Sequence, residues 1–510
     1  MTDTTAASSA GEQDNVRSGE NEGFGSFGYR TYVLNALLII YILNFVDRAL
    51  LSVVARPLKA ELGISDTAFG WLTGLGFALL YTIVGIPIAR IAERRNRVII
   101  ISICVALWSV MTALCGLAME VTIFGVVIGG FWVLLACRVG VGIGEAGCTP
   151  PANSLISDYY PPKKRSSAMG YYAMGVTLGT LVANLIAGPI TDMFNWRVAF
   201  FVLGIPGVVV ALILYFTVKE PPRGYSEPAG TVKGERASFS EGLKELFSKR
   251  SYWWMCAGAT GAAFCGYAIS AFQSLYIQRT FDLTAGQASV WFNVPAYLGG
   301  AIGTFMLGYI ASKMKSASAI AWLSAGGLVL CVPFFGMAFT TTNMIACVIG
   351  LAIGNAVKYG YLAAQYTIAA GVVSMRVRAT STAIMLFVIN LLGYGLGPPF
   401  AGIVSDFWFK GSLSEAGYMD VINRSMCDAG QQAITFAQRA SETALTDMQM
   451  SEVLAGISTP LSLEQYAFCL EANQSSTSAS MLTLTVMYAF AGIFFALSAM
   501  GLKRDMVGQS

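Results

Sequence analysis

The 510-residue chain has no histidine. That excludes a Ser-His-Asp triad, a Cys-His nucleophile pair and any imidazole-ligated metal centre. Proton chemistry must run on Asp, Glu, Lys or Tyr. Charge is scarce as well. Asp, Glu, Lys and Arg together make up 12% of the residues, against roughly 25% in an ordinary soluble domain. A formal net charge of +3 leaves no basic footprint for a nucleic acid. Ten cysteines spread over 510 residues exclude a small disulfide scaffold. No basic stretch leads into an apolar run at the start, so residues 1–30 do not read as a secretory signal and are expected to be a disordered cytosolic tail. What is present in excess is apolar side chain, 55% of the total, which excludes global disorder. A polytopic membrane protein remains.

A spanning helix needs about 20 mostly apolar residues. Twelve stretches qualify: 31–57, 67–92, 98–118, 122–150, 167–192, 197–218, 251–278, 286–311, 319–340, 344–371, 379–408 and 479–502. The alternation of barrel strands is absent, so an all-α membrane fold is expected. The hydrophilic segment 219–250 divides the helices into an N-terminal bundle of six (31–218) and a C-terminal bundle of six (251–502). Lys and Arg gather on one side, among them Arg90, Lys163, Lys164, Arg165, Lys313, Lys315, Arg376, Arg378, Lys503, Arg504 and the divider. The opposite side has only Arg56, Lys59, Arg197, Arg279 and three more in a long loop, 409–478. The positive-inside rule then makes both termini, the divider and the tail 503–510 cytosolic and the long loop external, in a plasma or inner membrane. Within that loop "SEAGYMDVINRSM" and "SETALTDMQMSEVLAGI" could form short surface helices. Eight cysteines fall inside helices as small apolar residues, while Cys427 and Cys469 share the external loop and are a disulfide candidate.

The halves echo each other. The second helix ends "ARIAERRNR" (89–97) and the eighth "GYIASKMKS" (308–316); the fifth ends "AGPITD" (187–192) and the eleventh contains "LGPPFAGIVSD" (396–406). Both matches are offset by six helices. Twelve helices in this arrangement resemble the major facilitator superfamily. "ARIAERRNR" resembles its Gly-x-x-x-Asp-Arg signature, with Ala89 and Glu93 in the places of the glycine and aspartate, and "NWRVAFF" (195–201) resembles its entry to the sixth helix. Within it, "NFVDR" (44–48), "CRVGVGIGEAG" (137–147), "SDYYPPKKRSSAMG" (157–170) and "KEPPRG" (219–224) look like the Spinster branch. The likeness covers nearly all of 31–408 and 479–502. It implies helices 1, 4, 7 and 10 around a central cavity, and an amphipathic, lipid-like substrate of lysophospholipid or sphingolipid type.

A charge in the membrane is costly, roughly 2.5–3.5 kcal/mol at mid-helix on insertion scales. Asp47 and Arg48 lie in helix 1, Arg138 and Glu145 in helix 4, and Lys358 in helix 10, all on helices that the resemblance assigns to the cavity. Asp47 and Arg48 are adjacent and point about 100° apart. Asp47, with Asn44 one turn earlier, is expected to face the cavity and carry a proton; a permanent ion pair to a neighbouring helix is its structural alternative. Arg138 and Glu145 stand two turns apart on one face, about 10.5 Å along the axis. Arg138 is expected to alternate between Asp47 and a substrate anion, with Glu145 titrating in step. Lys358 could attract an anionic head group or pair structurally. Tyr361, Gln365, Tyr267 and Gln273 are plausible cavity wall, although packing is the commoner role. Glu93, Arg94, Arg95 and Arg97 are expected to gate the inner side, part of that cluster being topology. "GIGEAG" (142–147) lies inside a membrane helix with no βαβ unit around it, so it reads as packing and not as a nucleotide loop. The expectation is a monomeric secondary transporter working by alternating access, with a proton as coupling ion, no other cofactor and no metal, with membrane lipids as its surroundings and no nucleic-acid partner. A facilitator or antiporter of small polar organic anions or sugar phosphates, and a non-transporting receptor or scaffold, are the alternatives. No catalytic constellation points to an enzyme.

Overall fold

The computed structural model describes residues 23–123, 126–226, 239–314, 316–374, 376–441, 444–457 and 460–506. Most of the expected tail, the middle of the divider with Lys233 and Arg236, Lys315 and the last four residues lie outside the described residues. Among the described residues twelve helices are long and apolar enough to cross a membrane. In chain order they are α1 (Phe27–Val53), α2 (Asp66–Ala92), α3 (Arg97–Cys115), α4 (Gly130–Tyr159), α5 (Pro162–Met193), α6 (Trp196–Thr217), α7 (Arg250–Thr280), α8 (Ala285–Lys313), α9 (Ala317–Thr340), α10 (Met344–Gly371), α11 (Thr380–Ala416) and α12 (Leu463–Asp505). An even number of crossings puts both termini and the divider on one face, here the linker face. Residues between α11 and α12 form the opposite, cap face.

Capping residues set the boundaries more than hydropathy does. Ser26 accepts the backbone N–H of Tyr29, so α1 begins at Phe27, inside the segment read as tail. Asn96 and Asn195 cap α3 and α6 in the same way. A capping box of Ser462 and Gln465 starts α12 at Leu463, well before residue 479, and the helix runs for 43 residues. The first helix ends at Val53, and a separate short helix, Ala55–Leu62, follows it. The reading of 122–150 as one helix is corrected: the β-branched run folds as a small antiparallel hairpin, β1 (Val121–Ile123) and β2 (Val126–Ile128), and the helix starts at Gly130. The long segment 409–478 is mostly helical. It holds the end of α11, two cap helices, Arg424–Ser441 and Asp447–Ala455, and the first turns of α12. The second lies within "SETALTDMQMSEVLAGI"; the first begins only at the end of "SEAGYMDVINRSM".

The helices α1–α6 pack as one half and α7–α12 as the other. Gly175 and Gly179 of α5 let α1 approach so closely that a Cβ on Gly179 would sit 2.5 Å from the Ile42 carbonyl oxygen. Between the halves the tightest approaches lie toward the cap face. Gly70 of α2 rests on Pro398 and Pro399 of α11, Gly402 of α11 on Asp66 and Thr67, and Gly188 of α5 on Ala285 and Gly286 of α8. Toward the linker face the same helices bare apolar side chains, including Ile83 and Ile86 of α2 and Phe305 and Tyr309 of α8. The closest approaches between the halves therefore gather at the cap face. The cap has its own core around Cys427, Ile434, Leu454, Leu461, Tyr466 and Cys469.

Candidate functional site

Adjacent residues on a helix point about 100° apart, and α1 uses both directions. Asp47 turns into its own half. It accepts from Thr112 Oγ1 on α3 at 2.5 Å and from Arg138 Nη1 on α4 at 2.7 Å. Arg48 donates its Nε to Glu145 Oε2 at 2.8 Å. Two parallel ion pairs thus join α1 to α4, each carboxylate matched by one arginine. All four residues are buried or nearly so. The expectation that Asp47 faces the cavity is corrected. Arg48 takes that side, because aromatic rings are arrayed there to receive it. Its guanidinium carbon lies 5.1, 4.9 and 5.0 Å from the ring centroids of Phe45, Phe77 and Tyr81, and 5.8 Å from that of Tyr394 on α11. A cation over ring faces is held electrostatically, and more strongly where water is excluded.

Tyr394 closes a π-helical turn, Ile389–Tyr394, within α11. Such turns re-aim side chains and recur at functional sites. Its ring packs on Tyr267 of α7 at 4.4 Å, so Tyr267 belongs to the box where the halves meet. Two valences in this cluster are unused: Arg138 Nε and Glu145 Oε1 are buried without a hydrogen-bond partner among the described residues. A buried unpaired donor and a buried unpaired acceptor two turns apart on one helix suit a polar ligand or a mobile proton.

The other expected wall residues divide. Asn44 is buried on α1. Lys358 is buried in α10, makes no ion pair among the described residues, and sits over Phe335 and Tyr359 at 5.5 and 4.9 Å. Tyr361 packs on Phe495, and Gln365 keeps a buried Oε1 with no hydrogen-bond partner among the described residues. Gln273 is not free for a ligand. Its amide donates to Asn293 at 2.8 Å and ties α7 to α8.

The expected gate on the linker face is not assembled here. Glu93, Arg94 and Arg95 are exposed. Arg97 is buried inside the N-terminal half, donating to Asp158 at 2.5 Å, Glu220 at 2.6 Å and Ser154 at 2.9 Å. It locks α3, α4 and the "KEPP" segment into one body, since the cap of α3 by Asn96 aims it inward.

The lock that joins the halves lies at the cap face, on residues that sequence reading took only as topology markers. Arg279 at the end of α7 donates to Asp66 at 2.8 and 3.0 Å and to Asp428 of the cap at 2.9 and 2.8 Å. Lys59 reaches Asp66, and Asp428 at 2.9 Å. Arg424 stands 3.1 Å from Asp66. Arg56 donates to the carbonyls of Gln278 and Leu283 and to Thr435. Burial pushes the Asp428 carboxyl up, but the Arg279 and Lys59 charges outweigh it and hold the group below the usual carboxylate range. Cys427, one residue away, is bonded to Cys469 of α12, their Cα atoms 5.0 Å apart.

The repeated Gly-Pro…Asp segments explain themselves in this layer. Asp192 of α5 accepts from Thr284 Oγ1 at 2.5 Å and from the Gly286 N–H at 3.1 Å, at the start of α8. Asp406 of α11 accepts from the N–H groups of Asp66 and Thr67 at 3.2 and 2.8 Å, at the start of α2. Each half's fifth helix supplies a carboxylate to the positive N-terminus of the other half's second helix. Four residues earlier, Gly188 and Gly402 clear the way for that contact.

The family model described as Major Facilitator Superfamily matches residues 37–398. An MFS-type efflux pump of Mycolicibacterium smegmatis is 30% identical over 73% of this chain and 84% of its own length. A probable L-galactonate transporter of Escherichia coli is 28% identical over 62% of this chain and 72% of its own. Among solved structures, a bacterial homolog of the human lysosomal transporter Spinster, in an inward-facing and unoccupied conformation, superposes with a TM-score of 0.80. It is 36% identical, and the match covers 95% of this chain and all of that one.

Proposed function

This chain belongs to the Major Facilitator Superfamily, in its Spinster branch, and on that premise we propose that it moves an amphipathic, lipid-like anion by alternating access, coupled to a proton. The family and the fold are those of multi-pass membrane transporters rather than enzymes. The observation that carries the reading is the paired Asp47–Arg138 and Arg48–Glu145 contacts, set in an aromatic box that spans both halves. With every carboxylate ionised, the pairs satisfy each other and the site is closed to anions. A proton on Glu145 or Asp47 frees one guanidinium. Arg138 and Arg48 then have donors for a head group, and Lys358 of α10 adds a charge with no carboxylate partner among the described residues. The rings of Phe77, Tyr81, Tyr267 and Tyr394 offer apolar surface to the rest of the substrate. Release of the anion lets the arginines re-pair and expels the proton.

The excess of Lys and Arg on the linker face supports a cytosolic linker face and an external cap face, and we take the membrane to be a plasma or inner membrane. With the closest approaches between the halves gathered at the cap face, that orientation supports an inward-facing reading of this conformation. In this cycle proton and anion bind and leave together, so an inward proton gradient drives the anion inward.

A second reading has an observation behind it: the likeness to an L-galactonate transporter favours a small polar organic anion on the same arginines. Proteoliposomes separate the two. Uptake driven by a pH gradient is measured for a labelled lysophospholipid and for a sugar acid, each competed by the other. The lipid-like reading requires flux of the lysophospholipid that the sugar acid does not compete. Arg138→Ala is expected to abolish flux while Arg48 and Glu145 still pair; normal flux in that variant overturns the exchange scheme.

A further inference from the structure

The segment between α11 and α12 lies beyond the stretch that the family model matches, yet it reaches the centre of the lock. Asp428 is fully buried between Lys59 and Arg279, and Arg424 is buried against Asp66. We propose that this cap is a working part of the gate: it travels with the C-terminal half, and Asp428 and Arg424 are positioning residues that give Arg279 and Asp406 partners within that half when the cap face opens. The proposal rests on the alternating-access reading and adds the regulation of its outer gate.

Two observations fix which half the cap follows. Its first helix is bonded through Cys427 to Cys469 of α12. Asp428 also grips Arg279 of α7 with two hydrogen bonds, and Gln431 donates to the Arg279 carbonyl at 3.0 Å. Opening must therefore break Lys59–Asp428, Asp66–Arg279, Asp66–Arg424, Arg56–Asp282 and Asp192–Arg439, and leave Arg279–Asp428 intact.

Sorting the charged groups of these contacts by half gives a balanced division. The N-terminal half holds Arg56 and Lys59 against Asp66 and Asp192. The C-terminal half with its cap holds Arg279, Arg424 and Arg439 against Asp282, Asp406 and Asp428. Without the cap, Arg279 would face Asp406 and Asp282 with one charge too few, and a parted gate would hold unbalanced charge at the membrane surface. A buried group stripped of its partner is strongly destabilising, whereas a group that leaves with a partner is not. Neutral halves let the gate be tight when closed and still able to open, as a two-state element requires.

The test is a charge cycle on the full-length protein in lipid nanodiscs. Spin labels at Met193→Cys, on the exposed end of α5, and Met448→Cys, on the exposed cap, report the closed-to-open ratio across the cap face. Asp428→Asn strips Arg279 of its partner only in the open form, since Asp66 still pairs it when the gate is closed, and the ratio is expected to rise about tenfold or more. Lys59→Met strips Asp66 in the open form in the same way, and the ratio rises likewise. The double variant makes the halves opposite in charge, so its ratio is expected to rise furthest. A single variant whose ratio falls or stays unchanged overturns the proposal. If Asp428→Asn alone does not fold, the rise in Lys59→Met and the larger rise in the double variant carry the same decision. Labels that move together with the linker-face ends of both halves, with no cap-face opening under any condition or variant, overturn the alternating-access reading instead.

Discussion

Replacing Asp47 by asparagine tests whether the α1–α4 pairs are as tightly matched as the distances imply. The carboxamide can still bond Thr112, so the substitution removes charge with little change of shape. Arg138 is left buried, its Nε already without a partner among the described residues. Glu145 cannot replace Asp47, since it is engaged by Arg48 and stands about 10.5 Å along the helix from Arg138. Two unit charges about 4 Å apart at an effective dielectric of about 20 interact by about 4 kcal/mol. Loss of one partner of a buried pair costs about 3–5 kcal/mol, so the two routes agree. The assay is the unfolding free energy in mixed micelles at neutral pH. Asp47→Asn is expected to lose about 4 kcal/mol, and Asp47→Asn with Arg138→Met to recover to within about 1 kcal/mol of the parent, because no unpaired charge remains. A single variant that loses less than about 1 kcal/mol, or a double variant as unstable as the single, refutes the pairing.

Lys358→Met removes a buried cation with no carboxylate to strand, so stability should change by less than about 1 kcal/mol while the KM for an anionic amphiphile rises; a large stability loss would reveal a structural ion pair. Gly402→Ala puts a Cβ 2.2 Å from the Asp66 carbonyl oxygen. Backbone must move there, at about 1–3 kcal/mol, and cysteine cross-linking between α2 and α11 at the cap face should weaken. Arg97→Ala should cost about 3–5 kcal/mol of stability by stranding Asp158 and Glu220, yet leave the spacing between the halves unchanged; a shift in that spacing would return the residue to the gate.

The sparse intramembrane charges were legible because lipid makes each of them costly. Asp47 pairs with Arg138, Glu145 pairs with Arg48 on the same two helices, and Asp192 and Asp406 occupy equivalent places, four residues after Gly188 and after Gly402 rather than Gly397. What periodicity could not settle was rotation about α1. Asp47 and Arg48 carry equal claims on a helical wheel, and only the rings of Phe45, Phe77, Tyr81 and Tyr394, drawn from three helices, decide that Arg48 faces the other half. Gln273 read as cavity wall for a similar reason: its partner Asn293 is twenty residues away on another helix.

The charge lock was harder to see. Along the chain Arg56, Lys59 and Arg279 are only the few basic residues on one side, and Asp428 lies in a segment whose hydropathy resembles that of a loop. The signal lay in their scarcity and in their position at helix ends beside Asp66, Asp192 and Asp406. Twelve crossings, their six-and-six division and the cost of every charge within them can be read along the chain, because lipid enforces those locally, residue by residue. Which charges meet across the two halves emerges only on folding, because ion pairing depends on separations of a few ångströms between segments hundreds of residues apart, and no local energy term fixes those.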